Sequence, residues 1–81
     1  MKKLKTILAE VLGINEQGIT EETSPRTVDS WDSFNGLMLV SELENNFNVK
    51  FTMDEVVAVK NVKDIKDALQ RHGVQLPHDD V

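Results

Sequence analysis

The chain has no cysteine, which rules out disulfides, thiolate metal sites and a cysteine nucleophile together. Any thiol chemistry must therefore arrive on a cofactor. Long apolar runs are missing too, and no stretch has the length needed to span a bilayer. The opening Met1-Lys2-Lys3-Leu4-Lys5 has the basic front of a signal peptide, but Glu10 interrupts the apolar run that export requires. A soluble, cytoplasmic monomer is expected. No segment alternates as a strand would, and no internal repeat is present. The sequence has no Gly-x-Ser-x-Gly elbow, and its two histidines, His72 and His78, lie near or in the tail. A serine hydrolase would lack its base, so no enzyme is expected. Basic residues are scarce in the middle. From 16 to 55, nine carboxylates face only Arg26 and Lys50, leaving that stretch at −7 and the two ends together at +2. Nucleic-acid binding, which needs Lys and Arg against phosphates, is excluded. An acidic middle suits basic partner surfaces, with binding that weakens in salt, or it serves solubility alone.

What remains is a helical pattern in 81 residues, enough for one small core. Stability of only about 4–12 kcal/mol follows from that size. Leu4, Ile7, Leu8, Val11 and Leu12 recur at helical spacing, and Gly13 marks a stop, which predicts a helix over 2–12. Residues 14–31 form a long loop anchored by Ile14, Ile19 and Val28. A second helix runs from Ser33 to Asn46. There Phe34, Leu37, Val40, Leu43 and Phe47 make one apolar stripe with Leu39 beside it. Asp32 is its N-cap candidate. Thr52 and Glu55 have capping-box spacing for a short helix reaching about Val57. Asn61 caps a last helix, with Val62, Ile65, Ala68 and Leu69 inward and Gly73 at its end. The fold class is all-α, a small four-helix bundle of three longer helices and one short one, with a long loop between the first and second helices. Residues 1–74 make the domain, and 75–81 a polar tail expected to fray.

The chemistry lies in Trp31-Asp32-Ser33-Phe34, followed by Leu37, Leu39-Val40, Leu43-Glu44 and Phe47. A serine here could be no more than an ordinary helix cap. It also stands where unpaired amides and the positive end of the helix dipole favour an anionic group. Together with the helix order, the segment resembles the attachment region of acyl and peptidyl carrier proteins, whose common form is Asp-Ser-Leu at the start of the second helix. The resemblance spans nearly the whole chain. It implies that Ser33 bears a pantetheine 4'-phosphate arm, donated by coenzyme A through a phosphopantetheinyl transferase that uses a divalent metal. Asp32 would engage that enzyme or its metal, and Phe34 takes the place of the usual leucine. The arm would hold acyl groups as thioesters for acyl-loading and acyl-transfer enzymes of fatty acid or polyketide biosynthesis.

Met38 stands where many fatty-acid carriers have glutamate, and Asn35 and Gly36 thin the acid further. These departures count against housekeeping fatty-acid synthesis, and Trp31 before Asp32-Ser33 looks more like the discrete carriers attached to specialised pathways. Met38, Glu42, Gly36 and Trp31 are the expected partner-facing residues, although Trp31 could equally be a loop anchor packed on the core. Gly36 is unusual inside a helix and would let a partner or the arm approach the backbone. Ser30 and Ser41 are weaker attachment candidates. A peptidyl or aminoacyl carrier, or an unmodified helical adaptor, are the alternative functions. A calcium loop is excluded because Asn35, Gly36 and Glu42 at its fifth, sixth and twelfth places would put Trp31 first.

Overall fold

The computed structural model describes residues 2–77 and Asp80. Four helices appear in order: α1 (Leu4–Leu12), α2 (Ser33–Phe47), α3 (Met53–Ala58) and α4 (Val62–Arg71), with a single 3-10 turn (Glu16–Gly18) after α1. No strand occurs among the described residues. The all-α bundle with one short helix is therefore the fold.

α1 buries Leu4, Ile7, Leu8 and Leu12, one face of a 3.6-residue repeat. Each such leucine contributes roughly 1.5–3 kcal/mol when fully buried. The helix stops at Gly13, whose φ of 67° is left-handed and whose N–H donates to the Ala9 carbonyl. On α4, Val62, Ile65, Ala68 and Leu69 face the same core. Asn61 accepts from the Asp64 amide at its start, and Thr52 and Glu55 close the expected capping box on α3.

α2 departs from the expected stripe. Leu39, Leu43 and Phe47 are buried, but Phe34 and Leu37 are 70% and 62% exposed. Two overlapping apolar rows share this helix, and periodicity alone cannot choose between them. The row at spacing four meets the core, whereas the 34/37 row is turned away from it.

The long loop is ordered less by its apolar anchors than by its hydroxyls. Thr23 Oγ1 accepts from the Thr20 amide, and Thr27 Oγ1 accepts from the Ser24 amide and donates to the Ser24 carbonyl. Ser30 Oγ donates to the Leu12 carbonyl at 2.6 Å, holding the open end of α1. At the other side, the carbonyls of Glu21 and Thr23 accept the Lys63 and Val62 amides of α4 at 3.0 and 2.9 Å. Two helix ends thus find partners in one loop.

The tail does not simply fray. Leu76 packs against the core, and Asp80, 1% exposed, accepts from the Leu4 and Lys5 amides at 2.8 and 2.9 Å. Lys3, at the N-cap of α1, makes no side-chain cap, so a carboxylate remote in sequence fills the role. His78, also expected in the tail, lies outside the described residues.

Two outcomes follow. Asp80→Ala should lower stability by about 1–2 kcal/mol in urea unfolding, with Asp80→Asn between it and the parent. A loss no larger than that of an exposed substitution would show that the tail leaves α1 uncapped. The second concerns Glu55, held below the ordinary glutamate pKa first by the Thr52 amide and then by His72, whose Nε2 lies 3.0 Å from both carboxylate oxygens. A pKa lower in the folded than in the unfolded chain stabilises above the unfolded value and is lost as pH falls through the folded one. Glu55→Gln should therefore be less stable than the parent at neutral pH, and the gap should close on acidification. A gap that persists in acid would assign the effect to packing.

Candidate functional site

At the head of α2 the chain leaves the loop through Trp31, and Asp32 is extended (φ −106°, ψ −172°) before the helix begins at Ser33. Asp32 Oδ1 accepts from the Asn35 amide at 2.9 Å, and its carbonyl accepts from the Gly36 amide at 2.8 Å. The carboxylate is therefore fixed at the helix start, where it is exposed. Asn35 Nδ2 donates back to the Ser30 carbonyl at 2.7 Å, clamping the turn. Ser33 follows immediately on this clamp.

The three candidate serines separate clearly. Ser33 is exposed, and among the described residues nothing hydrogen-bonds its hydroxyl. Ser30 is half-buried, with its hydroxyl committed to Leu12. Ser41 is exposed but lies two turns into α2. Only Ser33 combines a free hydroxyl with the positive end of a 15-residue helix.

Ser33 also stands at the mouth of a cleft of about 430 Å³ between α2 and α3. Trp31, Gly36, Leu37 and Val40 line one side, and Val56, Val57 and Val59 line the other. Leu39, Leu43, Ile65 and Ala68 make its floor from the core. The walls are mostly apolar, with Asp32, Ser33, Glu55 and the Trp31 indole as residues that carry polar atoms. Such a space rewards an alkyl chain by about 0.8 kcal/mol per methylene removed from water.

The expected partner residues do not form one cluster. Trp31 and Gly36 belong to the cleft. Met38 and Glu42 lie instead in a shallow groove with Ile7, Glu10, Val11 and Asn35 between α1 and α2. Met38 is 46% exposed there, and Glu42 is half-buried, close to the Asn46 side-chain amide. Trp31 is buried, as a loop anchor would be, yet it also faces the cleft. Phe34 projects into solvent beside Ser33. The sequence reading missed Leu37, Val40 and the valines of α3 as a cleft lining. The available signal was an apolar row on α2 left over once the core row is satisfied.

The residues present fit a phosphopantetheine: an unengaged hydroxyl, a helix N-terminus for the phosphate, and an apolar cleft beside it. No group of three or more His, Cys, Asp or Glu among the described residues could hold a metal. No helix among them is long and apolar enough to cross a membrane.

Comparison with known proteins agrees with this geometry. Residues 2–69 match the family described as phosphopantetheine attachment site. The chain is 32% identical over 71 residues to an acyl carrier protein of Buchnera aphidicola subsp. Baizongia pistaciae, covering 88% of this chain and 91% of that one. It is 34% identical over 65 residues to an acyl carrier protein of Phytoplasma australiense, covering 80% and 86%. The solution structure of holo acyl carrier protein from Geobacter metallireducens superposes with a TM-score of 0.76 at 32% identity, covering 84% of this chain and 78% of that chain. The chain belongs to the acyl carrier protein family, whose members bear acyl groups on a covalently attached phosphopantetheine and are not themselves enzymes.

Proposed function

We propose that Ser33 is the attachment point, and that the arm it carries shuttles acyl thioesters among cytoplasmic biosynthetic enzymes. The observation that carries this is the free Ser33 hydroxyl at the head of α2 and the mouth of the α2–α3 cleft. The arm supplies the thiol that a cysteine-free chain lacks. Asp32, held by its cap bond to Asn35, presents its second carboxylate oxygen to the transferase or to that enzyme's metal. Leu37, Val40, Val56 and Val57 shelter the alkyl part of the cargo from water. The apolar Met38 on α2 and the thinned acid around it support a discrete carrier with dedicated partners.

Incubation with coenzyme A and a promiscuous phosphopantetheinyl transferase should add one phosphopantetheine by intact mass, mapped to Ser33 by fragmentation. Ser33→Ala should abolish the gain and keep the helical circular dichroism. Modification at Ser30 or Ser41, or none, overturns the assignment.

Gly36→Ala should stabilise the unmodified protein by about 0.5–1 kcal/mol, because glycine costs that much in a helix interior. A methyl there meets only Trp31, at 3.8 Å from Nε1 and 4.0 Å from Cδ1, which is ordinary contact. Thermal melting checks this, and a destabilised variant would mean that Trp31 cannot yield to the methyl.

A further inference from the structure

The cleft contains one polar group with no assigned partner. Trp31 is the only tryptophan and is 7% exposed. An indole N–H donates and cannot accept, and when buried it normally finds an acceptor. Here none is found among the described residues, and Trp31 has no further contact of that kind. Yet no buried side-chain nitrogen or oxygen is left unsatisfied. The two facts agree only if the small exposed part of Trp31 includes Nε1. Trp31 lines the cleft together with Ser33 and Gly36. Nε1 is 3.8 Å from where a side chain on residue 36 would begin, so the bare Gly36 backbone keeps the approach to it open. Gly36 in turn is three residues beyond Ser33, on nearly the same helix face.

We propose that the Trp31 indole N–H is a binding group for the prosthetic arm, donating a hydrogen bond to a carbonyl oxygen that enters the cleft. That oxygen is supplied by an amide of the arm or by the thioester of its cargo. This rests on Ser33 as the attachment point. The walls of the cleft offer methyl and methylene groups, which hold a chain without fixing how far it slides in. A single donor near the mouth fixes that register, as sparse polar groups do in apolar pockets generally. A phenylalanine at 31 would pack similarly and donate nothing. The glycine at 36, costly to the helix, is explained as the residue that leaves the donor accessible.

The test uses the full chain, 15N-labelled, in three forms whose masses are confirmed first: unmodified, modified from coenzyme A, and modified from octanoyl coenzyme A. The single indole N–H resonance should move downfield and exchange more slowly with solvent. A change on adding the bare arm identifies an arm amide; a change that waits for the octanoyl form identifies the thioester carbonyl. Trp31→Phe should still gain the full mass at Ser33, but its octanoyl thioester should be cleaved by hydroxylamine about three- to tenfold faster, the worth of one net hydrogen bond. Gly36→Ala should shrink the indole shift while preserving the mass gain. An indole resonance identical in all three forms, with Ser33 modified, overturns the inference and leaves the carrier assignment standing. No mass gain at Ser33 overturns both.

Discussion

The stretch between α1 and α2 has to pair its own backbone groups while contributing few apolar side chains, and the site depends on how it does so. A buried amide or carbonyl without a partner costs about 1–3 kcal/mol, so a long loop whose buried apolar side chains are only Ile19 and Trp31 could not be ordered by apolar burial alone. Thr20, Thr23, Ser24 and Thr27 solve this locally by bonding to amides two or three residues away. Ser30 then ties the loop to the end of α1, while Glu21 and Thr23 tie it to the start of α4. With both attachments made, Trp31 is carried into the cleft and Asp32-Ser33 is delivered at its mouth. Ser33 is thus positioned by residues that lie outside the cleft.

The head of α2 resolves two demands that oppose each other. On the proposed reading, the hydroxyl of Ser33 has to remain in solvent for modification, whereas the cargo it would carry has to leave solvent. Placing Ser33 at the boundary between the polar helix start and the apolar cleft meets both, since the helix N-terminus favours the phosphate and the walls of α2 and α3 favour the chain. The same helix keeps its other side for different contacts. Met38 and Glu42 belong to the α1 side, away from the cleft. Surface changes there leave the volume of the cleft unaltered.

Local signals in the sequence were enough for the helices, and distant ones were not. Asp32, Thr52-Glu55 and Asn61 announced their helix starts because capping acts over three residues, and Gly13 announced an end for the same reason. The exposed place of Ser33 at a helix start was legible because it lies beside its cap and before an apolar helix. Asp80 was not, since its partners Leu4 and Lys5 are more than seventy residues away and nothing local marks a carboxylate as a cap for another helix. The orientation of α2 was also hidden. Phe34, Leu37 and Val40 read as core because they are apolar at helical spacing, but burial is decided by what lies opposite, and opposite Leu37 lies a cleft. The threonines read as loop composition, when their hydroxyls were the ordering element.

α3 completes the cleft and is its least anchored wall. Its six residues include none that is fully buried, and a helix this short is unstable in isolation. Phe51 and Val59, just outside its two ends, pack against the core. Along the helix it is held by the capping box at its start, the Glu55 contacts to His72 and Arg71 of the α4 end, and the edge contact of Phe51 with His72, ring centroids 5.3 Å apart. These are exposed or half-exposed interactions of small individual worth. The opposite wall, α2, is fixed by Leu39, Leu43 and Phe47 in the core. The middle of α3 is thus the lightly held part of the cleft, since Val56 and Val57 are not fully buried, whereas Phe51 and Val59 keep the two ends of the helix on the core. Any widening of the cleft at Val56 and Val57 is then opposed by the α3 capping box and the Glu55–His72 contact, and not by the core row of α2.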